Sequence, residues 1–525
     1  MSSHPTSISF FGGVNEIGGT KIALVSGNGK GILLDFGWSF KISHEYLHSF
    51  LTLRKHQRLL DGIFIGDLPK PLGVLKGIYR EDLYENIEKE CRNQGILEGK
   101  PTEPEFIEEI LISHAHSDHI GDIKFLHPSI KLVCSNSTKF VLEQFEQTTK
   151  SNSLFSNILT IKKPGTKTKE KLIREIKSLN SGESVVCAQN GFEVKLFEID
   201  HSLPGASAYL IHDTITKKKI VYTGDIRKHG PLKEKSEEFI KIAKEFQPDV
   251  LICEGTRADS TEDRNEYPSE QEVGKKLTQI FQDVQKNDPT KLIMFDCSLR
   301  DVWRLQTFYD SCKNAGKKLI LSPKSYDLLK ICIKVGIIKN VDLGEILVFL
   351  SKKSSGTYIA KDYSKSPAYV NILKKKKEDC LDAKHVYEKL DMEKSFLIKA
   401  EEIKKNPGKY VLQMSFYSLN DLFDINPTAG SYFIISRSEP FDDEGDVEDR
   451  KLKNWFQLFK IPESNIYQVH CSGHMRREEL IEMIKEIHPK KIFPIHTKNA
   501  HIFTKMNLPK DIEVIEPQKG KKYLL

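Results

Sequence analysis

The sequence has few cysteines and no apolar run that could cross a membrane. Its 525 residues include nine cysteines and no Cys-x-x-Cys pair, a usage typical of reduced thiols in a cytoplasmic protein. A helix that spans a bilayer needs about 20 consecutive apolar residues, and the sequence holds no such run. The opening residues lack the basic start and apolar stretch of a signal peptide. We therefore expect a cytoplasmic protein with no signal peptide and no membrane partner.

The charge is nearly balanced and identifies no partner by itself. The chain carries 79 basic and 73 acidic residues, for a net charge of +6. That balance neither requires nor excludes nucleic acid, because a local groove can be positive on a balanced surface. With 39% hydrophobic residues, a chain of this length can bury two sizeable cores in about two to four domains.

One short segment carries most of the functional information. Residues 114–119 read His-Ala-His-Ser-Asp-His and follow an apolar run that predicts a strand. Borderline divalent metals take neutral imidazole nitrogens and carboxylate oxygens as ligands. His114 and His116 project to the same side of an extended segment and can share one ion. Asp118 and His119 can then serve a second ion, so the segment predicts a two-metal site.

Other ligand-type residues stand at the ends of predicted strands. The predicted strand 192–199 precedes Asp200 and His201, and the predicted strand 219–223 precedes Gly224 and Asp225. The predicted strand 465–469 precedes the segment from His470 to His474, and the predicted strand 491–494 precedes Ile495 and His496. Strand ends converge on one edge of a sheet, so residues far apart in sequence can meet there.

These segments resemble the metallo-β-lactamase superfamily. The resemblance rests on His-Ala-His-Ser-Asp-His-Ile-Gly-Asp at 114–122, on Asp35 in Ile-Leu-Leu-Asp-Phe-Gly, and on His201 and Asp225. Glu254 is similar to motif A of the β-CASP nucleases, His474 to motif B and His496 to motif C. Segments 430–441, 469–474 and 493–497 are similar to ribonuclease J-like proteins. The resemblance thus extends over nearly the whole chain.

The resemblance implies two divalent metal ions, with zinc expected and manganese as the alternative. One ion would be bound by His114, His116 and His201. The other would be bound by Asp118, His119 and His496, and Asp225 would bridge the two. Asp35 would support ligand side chains without binding metal.

The resemblance also implies a division of catalytic roles. Asp118 would orient or deprotonate the attacking water. His474 would protonate the leaving oxygen as general acid, and Glu254 would hold its far ring nitrogen. No nucleophilic serine or cysteine is needed, so Cys253 and Cys471 are interpreted as small buried residues.

The expected fold is α/β, a metallo-β-lactamase αββα sandwich with an inserted parallel α/β β-CASP domain. From Val250 onward, predicted strands and helices alternate as in a parallel layer. Predicted elements include strands at 7–11, 21–25, 31–35 and 318–321 and helices at 270–285 and 477–487. The predicted domains are 1–250 with an insertion at about 38–105, the β-CASP domain at 251–455, and a return to the first domain at 456–525. Substrate is expected to enter a cleft at the domain junction.

Several conspicuous segments are interpreted as structural. The pairs Gly12-Gly13 and Gly18-Gly19 are taken as tight turns, with direct substrate contact as the alternative. The lysine runs at 217–219 and 374–377 could bind phosphate, but a solvated surface is favoured. The acidic residues at 442–449 are interpreted as a solvated surface at a domain hinge.

The expected substrate is single-stranded RNA. Histidine at motif C accompanies RNA-processing members of the β-CASP group, whereas Artemis-type DNA nucleases carry an apolar residue there, so His496 favours RNA. A DNA nuclease is one alternative. A small-molecule hydrolase is another, opposed by the inserted domain and by His474 and Glu254. A metal-free scaffold or RNA-binding subunit is opposed by the intact ligand set.

Four further residues are predicted to contact substrate, namely Ser436, His470, Ser472 and Gly473. The turn at 472–473 offers backbone and hydroxyl donors to a phosphate. Residues 436–440 read Ser-Arg-Ser-Glu-Pro where bacterial ribonuclease J carries Gly-Ser-Gln-Gly-Glu. We therefore expect weak discrimination between 5′ ends, with 5′ exonucleolytic trimming and internal cleavage both possible.

Overall fold

The chain forms two compact units in a computed structural model. The residues that it describes are 4–48, 50–55, 57–84, 88–96, 104–148, 154–162, 171–259, 267–352, 396–437 and 443–525. Unit 1 comprises Met1–Lys228, Leu232–Glu262 and Gly473–Leu525, and unit 2 comprises His229–Pro231 and Asp263–Ser472.

Unit 1 contains two seven-stranded sheets. The first, in order across the sheet, is β23 (Lys522–Leu524), β1 (Ser7–Gly12), β2 (Lys21–Val25), β3 (Gly31–Phe36), β4 (Ile107–Leu111), β5 (Lys131–Ser135) and β8 (Ile176–Leu179). The second is β22 (Glu513–Val514), β21 (Lys491–Ile495), β13 (Val250–Glu254), β12 (Lys219–Tyr222), β11 (Ser207–Asp213), β10 (Phe192–Glu198) and β9 (Ser184–Cys187). A separate hairpin pairs β6 (Thr160–Lys162) with β7 (Lys171–Ile173).

The two sheets of unit 1 share one core. Phe10 and Ile22 from the first sheet and Tyr209, Tyr222 and Phe493 from the second belong to one buried cluster. In each sheet antiparallel strands on one side give way to parallel strands on the other, at β3 with β4 and at β12 with β13. The parallel strand β13 is buried at every position, as expected where both faces of a sheet are covered.

Helices cover the outer faces of these sheets. The α-helices of unit 1 are Phe40–Tyr46, Arg58–Phe64, Glu81–Tyr84, Glu88–Asn93, Ser117–Ile120, Asn136–Thr148, Lys233–Phe246 and Arg477–Ile487. In the helix Lys233–Phe246, apolar residues at helical spacing, Phe239, Ile240 and Ala243, are buried. They pack with residues of the helix Arg477–Ile487 against the second sheet. This arrangement confirms the predicted αββα sandwich.

Unit 2 is a parallel α/β layer. Its seven strands, all parallel, are β17 (Leu397–Ile398), β16 (Leu347–Phe349), β15 (Lys318–Leu321), β18 (Tyr410–Gln413), β14 (Ile293–Asp296), β19 (Tyr432–Ile435) and β20 (Ile466–Gln468). Within the described residues of this unit, the α-helices are Glu270–Asn287, Val302–Asn314, Pro323–Lys334, Ala400–Lys405, Leu422–Ile425 and Asp443–Leu458. The predicted inserted parallel layer is therefore confirmed.

The points at which the chain passes between the units differ from the predicted domain limits. Strand β13 pairs with β21 in unit 1, so the chain leaves that unit after its motif A segment and not at 250. Strand β20 pairs with β19 in unit 2, so the return falls at 473 and not at 456. A three-residue strand has no pattern of its own, and its sheet is set by pairing.

Two expectations from composition can be compared with the described residues. Within those residues, no helix is long and apolar enough to cross a bilayer. Every cysteine in the same part of the chain is a buried free thiol, including Cys253 and Cys471.

Candidate metal centre

The segment 114–119 leaves strand β4 and turns into the short helix Ser117–Ile120. Its backbone is tied to the neighbouring strands of unit 1. The N–H of Thr20 donates to the carbonyl of Asp118 (3.1 Å), and the N–H of Trp38 donates to the carbonyl of Ser117 (2.9 Å). These bonds fix the segment at the edge where the strands end.

Three histidines form the first ligand group. His114 Nε2 lies 2.8 Å from His116 Nδ1, and His201 Nε2 lies 3.2 Å from the same nitrogen. One ring nitrogen of each histidine therefore faces a common point, and the three could hold one metal ion.

Two carboxylates and two histidines form the second group, Asp118, His119, Asp225 and His496. His496 Nε2 lies 3.1 Å from Asp118 Oδ2, and His119 Nε2 lies 3.7 Å from the same oxygen. All four residues are buried. The structure thus gathers the seven residues predicted as metal ligands into two adjacent groups.

Asp225 lies between the two groups. Its Oδ2 is 3.7 Å from His114 Nε2 in the first group. The same oxygen is 3.2 Å from His119 Nε2 and 3.6 Å from His496 Nε2 in the second. One carboxylate oxygen is therefore within reach of both groups, as a bridging ligand requires.

Two histidines of the first group, His114 and His201, are held in the form that binds metal. Burial, and then the neighbouring imidazoles, place the pKa of His114 and of His201 well below the usual value. Both rings are therefore neutral at pH 7 and keep a lone pair for a cation.

The second group has a different electrostatic character. Burial alone would raise the pKa of Asp225, but the charges of His119 and His496 hold it well below its usual value. Burial likewise opposes charge on His119, yet the carboxylates of Asp225, Asp118 and Asp35 raise its pKa well above the ordinary value. Asp225 and Asp118 are therefore ionised, and a divalent cation that takes the place of the histidine protons would compensate their charge.

One buried atom supports a cation at this position. His119 Nε2 is inaccessible to solvent, and although carboxylate oxygens of Asp225 and Asp118 lie 3.2 and 3.7 Å away, it makes no hydrogen bond of good geometry within the described residues. A buried polar atom without a partner is costly. A divalent cation that takes the place of the ring proton would accept the Nε2 lone pair, together with those of the adjacent imidazole and carboxylate ligands, so the donor set fits such a metal.

Asp35 supports the ligands from an unusual backbone position. It is the extra residue of a bulge in β3, because Leu34 pairs with Ile22 and Phe36 pairs with Lys21, and its φ is +52°. The bulge turns its carboxylate toward His119 Nδ1, at 2.8 Å. A bulge commonly redirects a side chain in this way, and the contact fixes the orientation of the ring.

The sequence did not predict the support that four residues give to the candidate ligands, although it singled out one of them, Gly473, as a substrate contact. Ser113 donates to Asp35 from its N–H (2.7 Å) and its hydroxyl (2.6 Å), and the Tyr222 hydroxyl donates to the same carboxylate. Thr256 Oγ1 lies 2.8 Å from His496 Nδ1, and the carbonyl of Gly473 lies 2.7 Å from His201 Nδ1. Serine, threonine, tyrosine and glycine are too common for composition to single them out. Of these residues, Ser113 could have been singled out by its position, because it directly precedes His114.

The predicted general acid lies beside the ligand groups. His474 Nδ1 is 3.2 Å from Glu254 Oε1 and 4.0 Å from Asp225 Oδ2. Glu254 is fully buried, and its Oε2 accepts from the N–H of Thr256 at 2.9 Å. The side chain of His474 keeps 18% of its surface exposed. Glu254 is thus enclosed and hydrogen-bonded, while His474 can be approached from solvent.

The four predicted substrate contacts are placed differently. In unit 2, the hydroxyl of Ser436 donates to the carbonyl of Val469 (2.6 Å) and accepts from Arg304 (2.6 Å). His470 Nδ1 lies 3.2 Å from the same guanidinium, and Ser472 offers its carbonyl to His229 Nε2 at 2.9 Å. Each of these three residues is largely buried in contacts within unit 2. Their role in binding substrate stays a prediction.

Gly473, in unit 1, packs against His201. A Cβ added there would lie 3.1 Å from His201 Cε1. The segments Ser438–Pro440 and Lys374–Lys377 lie outside the described residues, as does the start of the acidic segment at 442.

A methyl group at Gly37 is expected to displace the metal-binding segment. An added Cβ would stand 1.6 Å from the carbonyl oxygen of Asp118 and 2.4 Å from the nitrogen of His119. Backbone atoms cannot rotate away, so Gly37→Ala should cost about 3 kcal/mol or more of stability and lower the metal content. Thermal unfolding and elemental analysis measure the two effects.

Gly274→Ala is the matched control for Gly37→Ala. Gly274 lies within a helix, and its added Cβ would meet only a Thr307 methyl at 3.3 Å. Alanine favours helix, so stability and metal content should hold. Normal metal content in Gly37→Ala would show that this contact does not position the ligands.

Two family models match the chain. The model of the β-lactamase superfamily domain matches residues 92–287, and that of the Zn-dependent metallo-hydrolase RNA specificity domain matches residues 463–502. The first match contains Asp118 and Asp225, and the second contains His474 and His496. The two matches therefore include candidate site residues from both parts of the sequence that form the centre.

Similar proteins agree with these matches. Ribonuclease J of Mycolicibacterium smegmatis is 23% identical over 75% of this chain and 59% of its own length, and ribonuclease J of Sinorhizobium meliloti is 24% identical over 75% and 58%. The chain thus spans less than two thirds of these relatives. A crystal structure of a protein of unknown function from Enterococcus faecalis V583 has the same fold, with a TM-score of 0.68 and 22% identity over 99% of this chain and 100% of the other. The chain thus contains segments matched by the β-lactamase superfamily domain and by the Zn-dependent metallo-hydrolase RNA specificity domain, and it is similar to ribonuclease J over three quarters of its length.

Proposed function

We propose that the protein is a metal-dependent phosphodiesterase that cleaves single-stranded RNA with two divalent cations, zinc or alternatively manganese. The observation that carries the proposal is the reach of Asp225 Oδ2 to histidines of both ligand groups. His114, His116 and His201 would hold one ion, and Asp118, His119 and His496 the other. When bound, such cations lower the pKa of a water and offset charge that develops on phosphate.

The residues of the chain supply positioning and proton transfer. Asp118 orients the attacking water or accepts its proton. Burial opposes its charge, but His119 and His496 hold its pKa below the usual value, so the carboxylate is ionised. His474 donates a proton to the leaving oxygen. Glu254 acts as a positioning residue, because its contact with Nδ1 of that histidine directs the other ring nitrogen toward the substrate.

RNA is favoured over other phosphodiesters by two lines of support. The matched model at 463–502 describes an RNA specificity domain, and the relatives are named as ribonucleases. His496 is the motif C histidine expected of RNA-processing members. A small-molecule hydrolase would have no use for the His474–Glu254 pair beside its ligands.

A comparison of substrates tests the proposal directly. Labelled single-stranded RNA, single-stranded DNA of the same sequence and a generic phosphodiester, bis(p-nitrophenyl) phosphate, would be incubated with the zinc-loaded and the manganese-loaded protein. We expect RNA to be cleaved at the highest kcat/KM. DNA cleaved equally well would favour the DNA nuclease. Hydrolysis of the small ester alone would contradict a nucleolytic function.

Weak dependence on the 5′ end is the expected cleavage mode. Because Ser436–Pro440 replaces the glycine-rich segment of bacterial ribonuclease J, a dedicated 5′-monophosphate site is not expected. A circular RNA should therefore be cut, and linear forms with 5′-hydroxyl and 5′-monophosphate should be degraded at similar rates. Complete resistance of the circle with a strong preference for the monophosphate would identify a strict 5′ exonuclease.

A further inference from the structure

The insertion that begins after β3 exposes aromatic and aliphatic side chains to solvent. Phe50 is 94% exposed, Leu51 63%, Tyr46 54% and Phe40 38%. A single exposed apolar residue is ordinary on a protein surface, whereas several within twelve positions more often mark a surface that binds another molecule. We refer to Phe40, Lys41, Tyr46, His48, Phe50 and Lys55 as the insertion strip.

A helix cap and a hydrogen-bonded turn order the backbone of the strip. Ser39 caps the helix Phe40–Tyr46, since its hydroxyl accepts from the N–H of Ile42 at 3.2 Å. After the helix, His48 and Leu51 exchange backbone hydrogen bonds of 2.9 and 3.0 Å. This tight turn presents Phe50 next to the His48 ring, with 5.9 Å between the ring centroids.

The strip begins at the candidate metal centre. A Cβ added at Gly18 would lie 3.0 Å from Asp118 Oδ2 and 3.2 Å from Phe40 Cδ2. The ring of Phe40 and the ligand carboxylate therefore lie on either side of one glycine. The N–H of Trp38, two residues before the strip, also donates to the carbonyl of Ser117, so the start of the strip is tied to the metal-binding segment.

The charges of the strip suit a polyanion. Lys41 and Lys55 are exposed, and Glu45 is the only acidic residue between positions 40 and 55. The positive charge of Arg54 is compensated by the carboxylate of Asp61, with which the guanidinium forms a bidentate contact. The strip thus combines aromatic side chains with two exposed lysines, and Glu45 is the one acidic residue among them.

We propose that the insertion strip binds the single-stranded part of an RNA substrate next to the scissile bond, with bases stacked on Phe40, Tyr46 and Phe50 and phosphates near Lys41 and Lys55. The inference rests on the proposed function. Proteins that bind single strands without reading sequence combine stacked aromatic side chains with a basic track. A strip of this kind positions unpaired RNA of any sequence.

The first test measures affinity. Binding of a fluorescent 20-nucleotide polyuridine with phosphorothioate linkages, which resist hydrolysis, would be followed by anisotropy for the full chain. Each of Tyr46→Ala and Phe50→Ala should weaken binding by about 10-fold, because stacking on one side chain contributes that order of affinity. Phe50→Trp should restore it. Tyr417, 83% exposed and in unit 2, supplies the matched control as Tyr417→Ala, which should bind as the wild type does.

The second test separates charge from stacking. Lys41→Ala with Lys55→Ala should reduce the slope of log K against log salt concentration by about 0.7 for each phosphate that the variant no longer neutralises. Tyr46→Ala and Phe50→Ala should lower affinity without changing that slope. For cleavable RNA, both aromatic variants should raise KM far more than they lower kcat. Because both side chains are exposed, unfolding temperature should stay within the range of ordinary surface substitutions.

The outcomes distinguish this inference from the function on which it rests. A wild-type protein that neither binds nor cleaves RNA would contradict the proposed function. A wild-type protein that does both, with Tyr46→Ala and Phe50→Ala binding RNA as tightly as it does, would overturn only the insertion strip. The exposed rings would then be a surface for another protein.

Discussion

Asp225→Ala is expected to abolish RNA cleavage, with a loss of at least about 10³-fold in kcat, since the effect of bound metals on the barrier amounts to several kcal/mol. The physical reason is the position of its Oδ2, within 3.7 Å of histidines from both ligand groups. Without that oxygen the two groups lose their shared ligand. His119 and His496 also lose the carboxylate that raises their pKa.

Metal content measures the same change independently of activity. Elemental analysis of the wild type should give about two divalent ions per chain, as in two-metal hydrolases, and Asp225→Ala should give fewer. Asp225→Asn keeps the shape of the side chain and tests whether the charge is needed. Asp511→Ala removes an exposed aspartate that pairs with His488 and should retain metal and activity. An active wild type with only trace metal would falsify the two-metal mechanism.

The candidate ligands could be proposed from the sequence because their residue types and their positions at strand ends resemble those of a known family. The helix at 477–487 and the strands at 21–25 and 318–321 occur in the structure with the predicted bounds. Their apolar periodicity and turn residues are local signals, and strand ends place His201, Asp225 and His496 at one sheet edge. No long-range contact had to be known for these predictions.

The parts that were not predicted depend on contacts between distant residues. The bulge that turns Asp35 toward His119 is set by pairing between β2 and β3. Thr256 meets His496 across 240 positions. Strand β20 joins unit 2 only because it pairs with β19. A window of sequence carries no signal for such contacts, and the same holds for the close approach of Gly37 to Asp118.

His474→Ala should slow RNA cleavage by about 10²- to 10⁴-fold, the usual contribution of a general acid. The side chain is not part of either ligand group, so metal content and RNA affinity should stay near the wild-type values. Glu254→Gln should cause a smaller loss, because the amide still contacts Nδ1 but carries no charge. His501→Ala, an exposed histidine paired with Glu516, is the control and should be fully active.

The leaving group decides whether His474 acts as an acid. A p-nitrophenolate departs without a proton, so His474→Ala should hydrolyse bis(p-nitrophenyl) phosphate almost as fast as the wild type while RNA cleavage stays slow. A variant equally impaired on both substrates, with normal metal content, would show that the ring binds phosphate instead of protonating the leaving oxygen. Loss of metal in His474→Ala would make His474 a ligand, although neither ligand group of the described residues includes it.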